Sequence, residues 1–225
     1  MISRILIILG MIGLFMIFLP IITNFHESHD LKELAVNYVE GSVNELNTPN
    51  IVTSVVVTYR GLDTLGEVTV LFLATVGIGL LLNKRKGKQT RRPVSELLQT
   101  TSSFLFALII MLGVYIFTHG HLTPGGGFQG GVVIASGFLL TMLSNVNVKI
   151  NRTVLHILES FSGTIYVLIG VVGLFLTIGF LNPRILPLGN FGHLFSACAI
   201  PVIYSFIGLK VGSELTNILD TMGGE

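Results

Sequence analysis

Charge is scarce in this chain. Only 11% of its 225 residues are Asp, Glu, Lys or Arg, under half of the ~25% usual in a soluble domain. Hydrophobic residues make up 51% and the mean hydropathy is +0.80, which excludes a soluble globular protein. Thirteen basic against twelve acidic residues leave a net charge of +1, so there is no broad basic face for nucleic acid. Cysteine is reduced to Cys198. That excludes an internal disulfide, and a closed four-ligand zinc site would have to be built mainly from histidine. Low-complexity tracts, fixed-period repeats, a Ser-His-Asp order, paired catalytic carboxylates and a cofactor fingerprint are missing as well. Self-contained enzymatic chemistry and a bound cofactor are therefore not expected.

Long apolar runs are abundant instead. At ~20 residues per membrane-crossing helix, the pattern predicts an all-α integral membrane protein with six transmembrane helices at residues 5–23, 63–82, 97–117, 128–143, 154–180 and 191–209. The first run is longer than the 7 to 15 residues of a signal-peptide core and no small-residue cleavage site follows, so it reads as a retained anchor. Residues 30–46 carry apolar positions at helical spacing, with Asp30 and Glu33 as a capping pair, and read as an amphipathic helix on the membrane or on a partner. The β-branched run at residues 51–59 would be a strand in water. In lipid its unpaired backbone groups would cost several kcal/mol each, so it must lie at the interface, pair with another chain, or continue as helix into the second span.

The few charges orient the chain. With the N-terminus inside, Arg4, Lys84, Arg85, Lys86, Lys88, Arg91, Arg92, Lys149, Arg152 and Lys210 face the cytoplasm, and only Lys32, Arg60 and Arg184 lie outside. By the positive-inside rule this is an N-in, C-in topology with the amphipathic segment facing outward. The basic run ending at Arg92 and Pro93 divides the chain into a two-span unit, residues 1–92, and a four-span unit, residues 93–225. The long fifth span carries Gly170 and Gly173, where it is expected to tilt or break.

Ionisable groups within a span are costly, about 2.5 to 3.5 kcal/mol for a central charge, so Glu67 and Glu159 ask for an explanation. Arg60, Asp63, Thr64 and Glu67 recur at helical spacing on one stripe of the second span. Either Glu67 exchanges a proton or holds a cation, or it pairs with Arg60 across two turns. Glu159 follows His156 by three residues, giving either a proton-uptake pair, since histidine titrates near neutrality, or an interfacial ion pair. The segment THGHLTPGGGFQGG, residues 118–131, joins the third and fourth spans. It lacks the Lys-Ser/Thr ending of a phosphate-binding loop, and His119 with His121 alone makes a weak zinc signal. It reads as a structural turn with the histidines at its rim, where Gly127 and Gly131, four apart, let helices approach closely.

Within its four-span unit the stretch THGHLTPGGGFQGGVVIASGFLL, residues 118–140, resembles the MnhB/MrpB family, a membrane subunit of Mrp-type multisubunit sodium/proton antiporters related to the MbhF subunit of membrane-bound hydrogenases. Pro124, Gly126, Gly127, Phe128, Gln129 and Gly130 carry that likeness. VVVTYRGLDTLGEVTV, residues 55–70, is similar to the C-terminal end of the large MrpA protein and its free-standing counterpart MbhE. Arg60, Asp63, Thr64 and Glu67 match position by position, while Thr58-Tyr59 departs from relatives that place an acid before the aromatic residue. The resemblance implies two usually separate pieces in one chain, partnered by other membrane subunits and surrounded by lipid in a prokaryotic inner membrane. It implies sodium/proton antiport with Glu67 as the ion-path acid, tuned by Asp63 and Arg60. The alternative is the ion-translocating membrane arm of a hydrogenase or related respiratory complex. A third reading is a non-conducting scaffold in which Glu67 and Glu159 are structural charges.

Overall fold

The computed structural model describes residues 2–23, 32–82, 94–145, 150–177 and 179–223. The basic run from Lys84 to Arg92, Lys149 and the expected capping residue Asp30 lie outside the described residues. Among the described residues the chain is helical with no strand. In chain order the helices are α1 (Ile2–Thr23), α2 (Glu33–Asn44), α3 (Ile51–Ser54), α4 (Gly61–Leu82), α5 (Glu96–Thr118), α6 (Gly127–Ser144), α7 (Arg152–Leu176) and α8 (Ile200–Gly223). The chain divides into two compact units, Met1–Val36 and Asn37–Glu225. In the first, α1 carries apolar side chains on every side and Pro20 near its end.

Among the described residues four helices are long and apolar enough to cross a membrane: α4, α5, α6 and α7. Residues 7–20 of α1 form a shorter apolar stretch. Large apolar side chains such as Leu80, Phe104, Phe161 and Phe175 point outward, while glycine, serine and threonine fill the contacts between helices. That inversion is what lipid imposes, because hydrocarbon gives no hydrophobic reward for burying leucine and leaves close backbone packing to hold helices together.

The β-branched run resolves as helix. After α3 the residues Val55–Tyr59 make a single π-helical turn, closed by Arg60 N–H donating to the Val55 carbonyl at 2.8 Å, and the chain runs on into α4. Backbone groups are then satisfied within the segment, which a lone strand could not achieve.

Two spans end or begin well away from where the sequence pattern puts them. The last helix starts at Ile200 rather than residue 191 and continues to Gly223. Residues 191–199 are irregular, with Ala197 and Cys198 at positive φ, and Pro201 sits in the first turn of α8, where its missing N–H costs nothing. The fifth span ends at Leu176 instead of residue 180, and Gly170 and Gly173 do not break it. They are where the returning chain closes on α7: a methyl at Gly170 would meet the Phe180 ring at 2.5 Å, and one at Gly173 the Gly179 carbonyl at 3.0 Å.

The core centres on α8, which packs against α4, α5, α6 and α7. Ile200, Ile203, Tyr204, Ile207 and Val211 form its buried spine, joined by Val57, Val68, Phe117, Tyr166 and Leu181. Against that spine α6 lays Gly127 and Gly131, and on its other side Gly130 meets Gly113 of α5.

Candidate functional site

The glycine-rich segment between α5 and α6 is held by its own backbone and by two distant parts of the chain. The peptide N–H of Asn50 donates to the His121 carbonyl at 3.0 Å. The Asn50 amide donates to the carbonyls of Gly120 and Thr123 at 2.8 and 2.9 Å, and the Thr53 hydroxyl to Gly120 at 2.7 Å. Three loop carbonyls are thereby satisfied from the start of α3. From the other side His121, fully buried, is tied to α8: its peptide N–H donates to the Tyr204 hydroxyl at 3.0 Å. Its Nε2 lies 3.2 Å from the His193 carbonyl, which can only accept, so Nε2 carries the proton and Nδ1 receives the Tyr204 hydroxyl. Both ring nitrogens are thus engaged. His119, half-buried, stacks on Tyr115 with ring centroids 4.2 Å apart and shares a hydrogen bond with the Thr118 hydroxyl at 3.0 Å.

Burial holds the His121 imidazole below the ordinary histidine pKa, outweighing the His193 carbonyl, which acts in the opposite direction. A histidine depressed on folding binds protons more readily in the unfolded chain. Its loop therefore keeps full stability above the unfolded value of about 6.5 and loses it as pH falls from there toward the lower native value. Thermal melts across that range should fall more steeply on the acid side for the parent than for His121→Gln; parallel curves would contradict the assignment.

Gly126, the residue that caps the start of α6, sits at φ +149°, a conformation open to glycine, and a side chain there would strike the Gln129 amide oxygen at 2.9 Å. The resulting bend sets Gly125 to Gln129 as one wall of a cleft of about 230 Å³. The rest of the lining comes from Val52, Thr53, Val56 and Val57 ahead of α4, Thr64 and Glu67 of α4, and Tyr204 and Ile207 of α8. The cleft thus joins the two motifs that stand far apart in the sequence. Among the described residues Glu67 is the only carboxylate in its lining, accompanied by the hydroxyls of Thr53 and Thr64 and the amide of Gln129. Thr64 is buried and donates to the Val56 carbonyl at 2.8 Å, locking the π-helical turn against α4. At about 30 Å³ per water the space holds several waters, enough for one carboxylate to exchange a proton or share a hydrated cation.

Arg60 and Asp63 are not part of that lining. They pair with each other at 2.5 Å while remaining more than half exposed, so Arg60 neutralises Asp63 rather than Glu67. Such an exposed pair contributes only about 0 to 1 kcal/mol. Pro124 is exposed, Phe128 half-buried, and Gly130 is sealed against α5.

Glu159 and His156 lie elsewhere, on α7 where it faces α8. His156 Nδ1 is 3.6 Å from Glu159 Oε2, with the histidine side chain 60% exposed and the carboxylate nearly buried. Two further ionisable residues complete this group: Lys210 is paired with the fully buried Glu214. Farther along the same two helices Arg152 pairs with Asp220 at 2.6 Å. Asn50, Thr53, Tyr204 and Glu214 escaped the sequence reading. Glu214 had a readable signal, since Lys210 and Glu214 are four apart on one helical face, but placing the last span too early left that pair beyond its end.

Both halves of the chain resemble known proteins. Residues 97–217 match the family described as a domain related to the MnhB subunit of Na+/H+ antiporters, and residues 4–101 match the MbhE family, described as a component of MBH. An uncharacterized protein of Methanocaldococcus jannaschii is 29% identical over 83% of this chain and 84% of its own. A protein of Rhizobium meliloti named as the A/B component of a K(+)/H(+) antiporter is 26% identical over 50% of this chain, and one named as antiporter subunit mnhB2 in Staphylococcus saprophyticus is 43% identical over 21%. The matches span 14% and 33% of those two proteins' lengths. Among solved structures, a chain of the membrane-bound sulfane sulfur reductase, an archaeal respiratory membrane complex, is 39% identical with a TM-score of 0.84 over the full length of both. The chain belongs to the family of proteins related to the MnhB subunit of Na+/H+ antiporters.

Proposed function

We propose that this chain is a membrane subunit of a multisubunit complex that exchanges protons for a monovalent cation, sodium in the simplest case, and that it helps form the ion path. The observation that carries the reading is the cleft that Glu67 and the glycine-rich loop line together. A single carboxylate among hydroxyls and an amide, at the margin of an apolar helix, binds a proton and a hydrated cation in competition. The chain then makes six spans divided two plus four at residues 92 and 93, with both ends on the cytoplasmic side of a prokaryotic inner membrane; four helices of spanning length, α1 of 22 and α8 of 24 residues, and the common placement of the α3 start and the 118–131 loop support this. The partners are further membrane subunits, and the surrounding solvent of α4, α5 and α7 is lipid.

A second reading has its own support. The full-length likeness to a chain of a respiratory membrane complex favours a redox-driven assembly, in which the same protein couples electron transfer in a peripheral arm to ion movement. Affinity purification in mild detergent, followed by reconstitution, tests both. Copurified membrane subunits with cation-dependent proton movement are expected. An iron-sulfur or nickel-iron peripheral arm in the purified complex assigns it to the redox-driven class, and an intact exchanging complex without one to the antiporters. Recovery of the chain alone, with no partner and no ion movement in its native membrane, would overturn the proposal.

A further inference from the structure

About 15 Å along α8 from Tyr204, at 1.5 Å per residue, lies the second group of ionisable side chains, remote from the cleft. Glu214 is fully buried and Glu159 is 7% exposed. One ammonium is at hand, and it is taken by Glu214: Lys210 donates to Glu214 Oε1, and its charge rests 5.1 Å above the ring of Phe72. Gly163 leaves room for the lysine stem, since a methyl there would meet its Cδ at 3.3 Å. Lys210 and Glu214 thus cancel, and the charge of Glu159, which acts on Glu214 across the seam, is left over.

Hydrogen bonding tells the same story. Glu214 Oε2 and Glu159 Oε2 are both buried with no hydrogen-bond partner among the described residues, so two acceptors lack a donor. The helices packed around them do not supply it. Glu96 of α5 is exposed, α6 carries none, and α4 presents Phe72 here while its Glu67 lines the cleft and its Asp63 is paired with Arg60. Arg152 and Asp220 already match each other. His156, at 3.6 Å from Glu159 and 60% exposed, is the described group that connects the pair to the surroundings.

We infer that the α7–α8 seam is a proton-holding site, in which His156, Glu159 and Glu214 share one exchangeable proton opposite the fixed charge of Lys210. The proton enters at the His156 ring, passes to Glu159 Oε2 and there becomes the missing donor, restoring charge balance in a medium that tolerates no excess charge. Its use in transport rests on the function proposed above; its existence does not.

Difference infrared spectroscopy of the purified complex tests this directly. A protonated carboxyl band that shifts in D2O is expected at neutral pH, and Glu159→Gln or Glu214→Gln should each remove it. Lys210→Met, which removes that ammonium, should about double the band, because each carboxylate must then be neutralised separately. Two variants on different helices and one with an opposite effect keep the test decisive where one substitution prevents assembly. Loss of the band on adding sodium chloride at fixed pH, but not choline chloride, shows the proton exchanging for a metal cation at the same carboxylates and supports the site. Absence from the parent, across about pH 6 to 9, of any carboxyl band sensitive to these substitutions overturns it. The band reads the site whether or not the complex moves cations, so a failed transport assay leaves this result standing.

Discussion

Gly131→Val is expected to unseat α6 from α8 and to lower the melting temperature and yield of the assembled complex sharply. A methyl at this position would lie 2.8 Å from the Gly208 carbonyl, 2.9 Å from the Gly212 nitrogen and 2.9 Å from Val211 Cβ. Two of those three neighbours are backbone atoms, which cannot rotate aside. Overpacking that side chains can absorb costs about 1 to 3 kcal/mol; with helix backbone in the way the cost should reach about 3 kcal/mol or more, roughly a hundredfold in the folded fraction. Gly127 sits one turn earlier against Ile207 and the Gly208 nitrogen, so the two positions act as one seam. Gly77→Ala is the control, because an added methyl there meets nothing within 4 Å in this chain. If Gly131→Val melted with the parent, the close approach of α6 and α8 would be wrong.

Glu67→Gln is expected to cut coupled ion exchange by about tenfold or more, each tenfold corresponding to about 1.4 kcal/mol, while leaving assembly intact. Glutamine keeps the size and hydrogen-bonding reach of the side chain and removes only its capacity to ionise. Since Glu67 is exposed toward the cleft and Arg60 is engaged by Asp63, losing its charge strands no buried partner, and the complex should purify at the parent level. Asp63→Asn should be nearly silent in the same assay, because its ion pair is exposed and lies outside the cleft lining. Proton movement in proteoliposomes, followed with a pH-sensitive dye during a sodium pulse, separates the two. Unchanged exchange by assembled Glu67→Gln would remove Glu67 from the ion path.

The residues that declare themselves in the sequence do so because lipid penalises them. An acid in an apolar run, such as Glu67, and a cluster of glycines opening a helix need no structure to be noticed. Composition likewise dictates helices, since an unpaired strand is too costly in hydrocarbon; the β-branched run at residues 51–59 obeyed that constraint over its own propensity. What stayed hidden were the long-range partners. Asn50 and Thr53 look like an ordinary helix start, yet their hydrogen bonds reach some seventy residues ahead to the loop. Tyr204 looks like one more apolar-helix aromatic, and its hydroxyl fixes His121. The end of the last span misled for a different reason: Lys210 signals a membrane exit when read alone, whereas the helix continues past it and buries that charge against Glu214.

The hydrogen bonds from Asn50 and Thr53 to Gly120, His121 and Thr123 carry a consequence for assembly. They join a segment before α4 to one after α5, so the contact that shapes the cleft is made between stretches covalently tethered to each other. Two separate polypeptides would have to surrender translational and rotational freedom to make it, and their relative abundance would decide how often it formed. A tether replaces that bimolecular encounter with a high effective concentration. The copy number of the two walls is then equal by construction, and every chain that folds brings a complete cleft into its complex.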